Sequence, residues 1–458
     1  MFNIIVAHSI NNGIGYLGKI PWNISDDLKY FHRITTKSID NKKNILIMGK
    51  NTWNSLQNKP LKDRHNFILA RDIVNNNIDI NILLNNLERN NNINDIFVIG
   101  GENVYKQFIN DIRCKYIYVT LVNKIYKCDA YFPQIPNWFT TKHVHSYYYR
   151  ESNQLIKINN IVYKNDLYDE NSEENNYLKL VSKILNNGAK KECRSGYVYS
   201  LFGESIEFDL SKGFPLLTTK KMFYKGIIEE LLFFLRGETD TKLLEEKGVN
   251  IWKNNTMHTN GLMGPMYGFV WRHYGKEYLT NKFRTPSKTN HIDQLKNLII
   301  SLNTNINNRR HIMTTYNPLY NDMSVLYPCH GIVTQFDITN KKLNCCMYQR
   351  SADVGLGLPF NIASYSLLMH IIRLSLKNTY DMGTLKIFIG DAHIYEEHLK
   401  DIKIQSKRTP FRFPDIKINK KIYDDDIDVL LKNIENLCVD NFELINYNHH
   451  DSIKLLLK

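Results

Sequence analysis

The sequence predicts two bodies: an α/β domain with a mostly parallel sheet, then an α+β domain with helices over a mixed sheet. Three observations lead there. Residues 1–165 alternate short β-branched runs with helical stretches. Later residues combine longer apolar helical patterns with strands in a less regular order. Between them Asp166–Asn175 (DLYDENSEEN) holds five acids, no Lys or Arg, and no apolar period. A surface insertion within one domain would look similar, but charge favours an acidic linker. Residues 1–165 carry 21 basic and 12 acidic groups, and residues 176–458 carry 38 and 29, so each side is net +9.

In the first body Phe2–His8, Asn44–Met48, Asn66–Leu69, Ile96–Ile99 and Lys115–Val122 read as buried strands. Ser25–Ile34 and Asn103–Phe108 read as crossover helices, with Ser25 as an N-cap. In the second body Tyr177–Leu185, Phe223–Leu235, Ile292–Leu302 and Ile362–Leu376 read as helices. Gly331–Asp337, Leu343–Gln349 and Leu385–Ile389 read as strands.

A chain of 458 residues exceeds one hydrophobic core, and 43% hydrophobic with 23% charged residues excludes disordered and fibrous classes. Ile227–Leu235, the most apolar stretch, is interrupted by Glu229 and Glu230 and is too short to cross a bilayer. Met1–Ile10 has no basic n-region or cleavage site and reads as a strand. Seven scattered cysteines without CxxC pairs point to a reducing, cytoplasmic compartment and no metal site. The net charge of +13 makes polyanions expected partners, but no zinc-finger, RNP or basic-helix motif supports a primary nucleic-acid role.

Chemistry-bearing residues cluster in both bodies. Asp27 and Phe31, four apart on one helix face, place a carboxylate beside an aromatic, a pairing able to hold a flat, protonatable heterocycle. Asp26 shares the neighbouring face with Lys29 and Tyr30. Gly49-Lys50-Asn51-Thr52 and Gly100-Gly101-Glu102 each join a strand to a helix, where bare backbone N–H groups suit a phosphate. Each alone fits a tight turn equally well. Arg71 could add charge for an extra phosphate.

In the second body Pro328-Cys329-His330 offers a candidate nucleophile, with a buried inert thiol as the competing reading. Arg309-Arg310 upstream and Gln349-Arg350-Ser351 downstream suit a phosphate dianion, and a nearby cation would lower the thiol pKa. A solvated charge run explains Arg309-Arg310 equally well. The Asn361 amide matches uracil N3–H and O4, whereas an Asp would accept from a cytosine amino group. Glu230 shares its helix face with Ile227 and Phe234, while Glu229 has Lys225 at i−4.

The first body resembles dihydrofolate reductase. The motifs run in order: Ile4–Ala7, Gly15 to Pro21-Trp22, Asp27, Phe31, Gly49-Lys50-x-Thr52-Trp53, Pro60-Leu61-x-x-Arg64, Val98-Ile99-Gly100-Gly101, Tyr118-x-Thr120 and Asp129-x-x-Phe132-Pro133. The resemblance implies hydride transfer from NADPH to dihydrofolate. It implies folate contacts from Ala7, Asp27, Phe31, Arg64 and Thr120, with Asp27 promoting N5 protonation and Arg64 gripping the glutamate carboxylate. NADPH would meet Ala7, Gly15, Lys50, Thr52, Arg71, Gly100, Gly101 and Tyr105.

The second body resembles thymidylate synthase through Asn176-Tyr177-Leu178-Lys179-Leu180, Phe214-Pro215-Leu216-Leu217-Thr218-Thr219-Lys220, Glu230-Leu231-Leu232, Ile251-Trp252, Gly264-Pro265-x-Tyr267-Gly268, Pro328-Cys329-His330, Gln349-Arg350-Ser351-x-Asp353, Gly357–Tyr365 and Gly390-Asp391-x-His393-x-Tyr395. It implies reductive methylation of dUMP by 5,10-methylenetetrahydrofolate, with Cys329 adding to C6 of the pyrimidine. Glu230, Arg350 and Asn361 would complete the catalytic set, Glu230 managing protons through water. The nucleotide would meet Arg194, His330, Gln349, Arg350, Ser351, Asp353, Asn361, His393 and Tyr395. Arg309 and Arg310 would reach it from a second subunit, so a homodimer is implied. Trp252 and Asp353 would line the folate site.

Overall fold

The protein is described by a computed structural model covering residues 1–38, 42–69, 80–88, 92–169, 172–278 and 291–455. It divides into two compact units, Met1–Asp169 and Glu170–Lys458.

The first unit contains β1 (Phe2–Ser9), β2 (Gly13–Gly15), α1 (Ser25–Thr36), β3 (Lys43–Gly49), α2 (Lys50–Ser55), β4 (Arg64–Leu69), α3 (Ile80–Glu88), β5 (Ile93–Gly100), α4 (Glu102–Phe108), β6 (Cys114–Val122), β7 (Ala130–Tyr131), β8 (Phe139–Glu151) and β9 (Gln154–Asn165). Its seven-stranded sheet runs β4-β3-β5-β1-β6-β9-β8. The first five strands are parallel, while β9 and β8 close the far edge antiparallel. Ile4, Leu46, Ile47, Met48, Val98 and Ile117 are buried because helices cover both faces of the parallel part. Strand order reverses around β1, which lies between β5 and β6. Ligands of open parallel sheets bind at the carboxyl ends of strands beside such a switch. Here those ends carry Ala7, Gly49 and Gly100.

Two local expectations change. Ser25 is the first residue of α1 and not its cap; the capping position is Ile24, extended and without a side-chain cap bond. Ile24 is buried with Trp22 in a small satellite core, and that packing fixes the helix start. The hairpin β8–β9 is an additional antiparallel pair.

The second unit begins with α5 (Glu174–Asn187), then β10 (Ala189–Cys193), β11 (Gly196–Asp209), α6 (Tyr224–Leu235), β12 (Ile312–Met313), β13 (Val333–Thr339), β14 (Lys342–Asp353) and β15 (Asp381–Tyr395). Its six-stranded sheet runs β10-β11-β15-β14-β13-β12, antiparallel except for β14 with β15. One face packs under α5, α6 and the helix Gly357–Leu374 to form the main core. That last helix begins five residues before the expected Ile362, because Pro359 sits in its first turn, where no N–H is needed.

The acidic stretch is not linker throughout. Glu174 lies inside α5 and is fully buried. One carboxylate oxygen accepts from Thr218 N at 2.8 Å and Thr218 Oγ1 at 2.6 Å. The other accepts from Thr219 N at 2.9 Å and Thr219 Oγ1 at 2.5 Å. Four donors on one turn explain why an acid stays in the core.

Candidate active sites

In the first unit the candidate site gathers around Asp27. Its position on α1 turns it into the fold, and it is 7% exposed. Burial pushes its carboxyl up to about 6, against the opposing influence of Thr120 and Trp22. Ala7 and Thr120 are register partners on β1 and β6, and the Thr120 hydroxyl donates to Asn160 Oδ1 at 3.2 Å. Four residues along α1 from Asp27, Phe31 lies under the Arg64 guanidinium at 5.9 Å.

Arg64 is 8% exposed. It donates to Lys62 O and to Thr35 Oγ1, each at 2.8 Å, and no carboxylate pairs with it among the described residues. Burial holds its pKa below the usual arginine value. A buried cation with open donor capacity is a receptor for a ligand carboxylate.

Two glycine turns, at Gly49 and at Gly100-Gly101, face each other. A Cβ on Gly100, whose φ is +117°, would lie 3.1 Å from the Tyr105 ring; one on Gly101 would lie 3.2 Å from Thr52 Oγ1; one on Gly49 would lie 3.2 Å from Val104. A side chain would be crowded at each of these positions, and as glycines they leave bare backbone at two helix starts, Gly49 before α2 and Gly101 before α4. The Tyr105 hydroxyl donates to Ile5 O at 2.8 Å and ties α4 to β1. Lys50 is exposed on the first turn of α2. Gly15 O accepts from Asp129 N at 2.9 Å. Arg71 lies outside the described residues.

The second unit assembles its site on the β14–β15 end and the loops before them. Cys329 Sγ is 3.3 Å from the Tyr267 hydroxyl, which also accepts from Cys329 N at 3.1 Å. Arg350 donates from its backbone N to Cys329 O at 2.9 Å, and its guanidinium holds Pro328 O at 3.0 Å and Tyr327 O at 2.9 Å. The expected lowering of the thiol pKa does not prevail. Burial pushes Cys329 up, and Tyr267 and Arg350 only oppose it.

His330 is a buried positioning group: its ring stacks on Tyr267 at 4.4 Å, and Nδ1 meets the Tyr365 hydroxyl at 3.1 Å. Burial lowers its pKa to about 3, so it stays neutral. Gln349 Nε2 donates to Asn361 Oδ1 at 3.0 Å, fixing the amide orientation on the helix Gly357–Leu374. Glu230 accepts from Trp252 Nε1 at 2.8 Å, and burial pushes its carboxyl to about 7. Neighbouring Glu229 pairs with Lys247 at 2.6 Å and not with Lys225, since tertiary packing brings Lys247 onto the buried face.

Strand register adds the rest. Ser351 pairs with Asp391 and Asp353 with His393 across β14 and β15. His393 Nδ1 lies 3.0 Å from Asp391 Oδ1, and its ring meets the Tyr395 edge at 5.4 Å. Asp353 Oδ1 accepts from Gly355 N at 2.9 Å. Three arginines stand apart: Arg194, on the β10–β11 turn, and Arg309 and Arg310, before β12, are all exposed. Tyr267 and Tyr365 are the main additions to the expected set. A flanking signal existed for Tyr267, between Pro265 and Gly268, where the chain adopts φ +44°.

Comparison with known proteins agrees with both halves. The family model described as dihydrofolate reductase matches residues 1–165, and that described as thymidylate synthase matches residues 175–457. A bifunctional dihydrofolate reductase-thymidylate synthase of Paramecium tetraurelia is 36% identical over 477 residues, covering 99% of this chain and 98% of that protein. Similar proteins of the same description occur in Arabidopsis thaliana (35% over 514 residues, 99% and 88% covered) and Plasmodium berghei (34% over 563 residues, 97% and 93% covered). Among the described residues no helix is long and apolar enough to cross a membrane. The chain belongs to the bifunctional dihydrofolate reductase–thymidylate synthase family, enzymes that methylate dUMP with 5,10-methylenetetrahydrofolate and reduce the resulting dihydrofolate with NADPH.

Proposed function

We propose that the two compact units are the two catalytic bodies, the second including α5 with its buried Glu174, and that the candidate residues above divide the two reactions between them. In the first, Asp27 binds the pteridine and promotes N5 protonation, a role supported by a carboxyl poised near pH 6. Phe31, Ala7 and Thr120 line the same pocket, and Arg64 takes the glutamate carboxylate. The glycine backbone at Gly100 and Gly101, with Lys50, Thr52, Tyr105, Gly15 and Arg71, holds NADPH. When bound, that cofactor supplies the hydride.

In the second body Cys329 adds to C6 of dUMP. The thiol first releases its proton to water, a loss Arg350 favours, and a sulfur lone pair then forms the bond to C6 while the C5=C6 electron pair shifts toward C5 and O4. Asn361 reads the pyrimidine, with its amide fixed by Gln349. Glu230, tuned to about 7 and bonded to Trp252, passes protons near C4 and C5. Arg194, Arg350 and Ser351 hold the phosphate, His393 and Tyr395 the sugar, and Trp252 and Asp353 the folate, while His330 supports Tyr267.

A homodimer completes the site in this reading. Phe202 is 78% exposed, and Ile312, Val333, Phe388 and Tyr348 are 41–46% exposed along the sheet of the second unit. Pairing through that face would also bring the exposed Arg309 and Arg310 to a partner's phosphate. Sedimentation should find a dimer; a stable monomer would refute it. Seven unpaired thiols favour a cytoplasmic setting.

The Cys329 thiol beside Tyr267 and Arg350 carries this reading. Incubation with 5-fluoro-dUMP and methylenetetrahydrofolate should leave a covalent mass increase on the Cys329 peptide. An unmodified peptide overturns it.

A further inference from the structure

An ionised carboxylate accepts hydrogen bonds and cannot donate one, so it dictates where a neighbouring neutral imidazole carries its proton. Asp391 stands in that relation to His393. The two lie two residues apart on β15, so their side chains leave the same face of the sheet. His393 Nδ1 is 3.0 Å from Asp391 Oδ1. The second carboxylate oxygen accepts from Lys191 Nζ at 3.2 Å and from Ser200 Oγ at 3.4 Å.

These two donors come from β10 and β11, and Ser200 is the register partner of His393 itself. The His393 hydrogen bond, joined by Lys191, holds the Asp391 carboxyl below the usual carboxylate range. Asp391 is therefore charged at neutral pH and only accepts. Nδ1 must carry the proton of the neutral His393 ring, and Nε2 is left with a bare lone pair. The imidazole is 12% exposed and meets the Tyr395 ring edge-on at 5.4 Å.

We propose that Asp391 is a positioning residue for nucleotide recognition: by fixing the Nδ1–H form of His393 it makes Nε2 an acceptor, and the site selects sugars that donate a hydrogen bond from the 3′ position. A 3′-hydroxyl meets that demand. A 3′-fluorine of nearly the same size brings only lone pairs against the Nε2 lone pair, and the buried acceptor goes unmet. The inference rests on the reading of His393 as a sugar-binding group.

Lys191 and Ser200 make one substitution informative. In Asp391→Asn both donors draw the amide oxygen toward themselves, which turns the amide NH2 toward Nδ1. Two donors cannot face each other, so the ring proton moves to Nε2. The nitrogen that accepted from the sugar then donates, and fluorine is no longer penalised.

The test measures thymidylate formation by the full chain with dUMP and with its 3′-deoxy-3′-fluoro analogue. The unmodified protein should prefer dUMP by about 10- to 100-fold in kcat/KM, the worth of one charge-backed hydrogen bond. Asp391→Asn should shrink that preference at least about fivefold, by raising KM for dUMP and not for the analogue. Asp391→Ala, which leaves Nδ1 to water and fixes neither tautomer, should fall between. General damage to the site would weaken both nucleotides alike and leave their ratio in place. On a His393→Gln background, Asp391→Asn should alter the ratio less than about twofold, because the residue acts through the ring. No preference in the unmodified protein, an unchanged preference in both Asp391 variants, or an effect that persists without His393 overturns the inference. If His393→Gln raises KM for dUMP while both Asp391 variants keep the preference, only this inference fails. If His393→Gln leaves that KM unchanged, the reading of His393 itself fails.

Discussion

Replacing Trp252 by Phe should retune Glu230 without touching its position on α6. The indole Nε1 donates to Glu230 at 2.8 Å, and it is the one named influence that opposes burial. A hydrogen bond to a charged group is worth about 1.5–3 kcal/mol, and one pKa unit corresponds to about 1.36 kcal/mol. Loss of the bond should therefore raise the Glu230 pKa by about one to two units above its value of about 7. At pH 7 the ionised fraction would fall from about half to somewhere between about 1% and 10%. The assay is the pH profile of kcat for thymidylate formation. A carboxyl is neutral below its pKa and ionised above it, so whichever form is productive, the limb set by Glu230 moves to higher pH. Dihydrofolate reduction, measured on the same sample, should keep its profile. A limb that stays in place, or moves to lower pH, would refute the reasoning.

Asp27→Asn should cripple dihydrofolate reduction and leave thymidylate formation near normal; equal loss of both would contradict two independent sites. In the unmodified protein the Asp27 carboxyl loses its proton as pH rises through about 6, so steady-state reduction should fall across that range on a limb that thymidylate formation lacks. Arg64→Leu should raise KM for dihydrofolate about 10- to 100-fold, the value of a charge-assisted pair, with a smaller change in kcat. An unchanged KM would remove Arg64 from the folate site. Asn361→Asp should move preference from dUMP toward dCMP, because Gln349 can still donate to the new carboxylate while the donor to O4 is lost. Competition assays with both nucleotides would detect the change, and undiminished dUMP preference would exclude Asn361 as the reader.

Much of this was legible where one local signal dominated. Ile45–Met48 and Ile96–Val98 form an almost unbroken apolar run in each strand because both faces are covered, and such runs identify buried parallel strands. Asp27 and Phe31 were readable from helical spacing alone. The hairpin β8–β9 was not, because Thr140–Ser146 is exposed on both faces and shows no apolar alternation. Electrostatic outcomes were least legible. Arg350 beside Cys329 pointed to an acidified thiol, but sequence carries no measure of burial, which outweighs the cation. The Glu229 partner was likewise set by a residue 18 positions away. Arg309 and Arg310 illustrate a different limit: their exposure becomes meaningful only beside a second chain.

The buried Glu174 has a consequence for any attempt to dissect the chain. The charge pattern invites a cut between Asn175 and Asn176, where acidic composition ends. Such a cut would leave the carboxylate with the wrong half. Thr218 and Thr219 would then present two backbone N–H groups and two hydroxyls in the core without their acceptor. Each unmet donor costs roughly 1–3 kcal/mol, so an isolated second half cut there would begin with much of a domain's stability gone. A break that keeps this carboxylate with its partners has to fall upstream of α5. Where composition changes and where the fold begins are therefore different positions, and only the second one limits how freely the two halves can be separated or respaced.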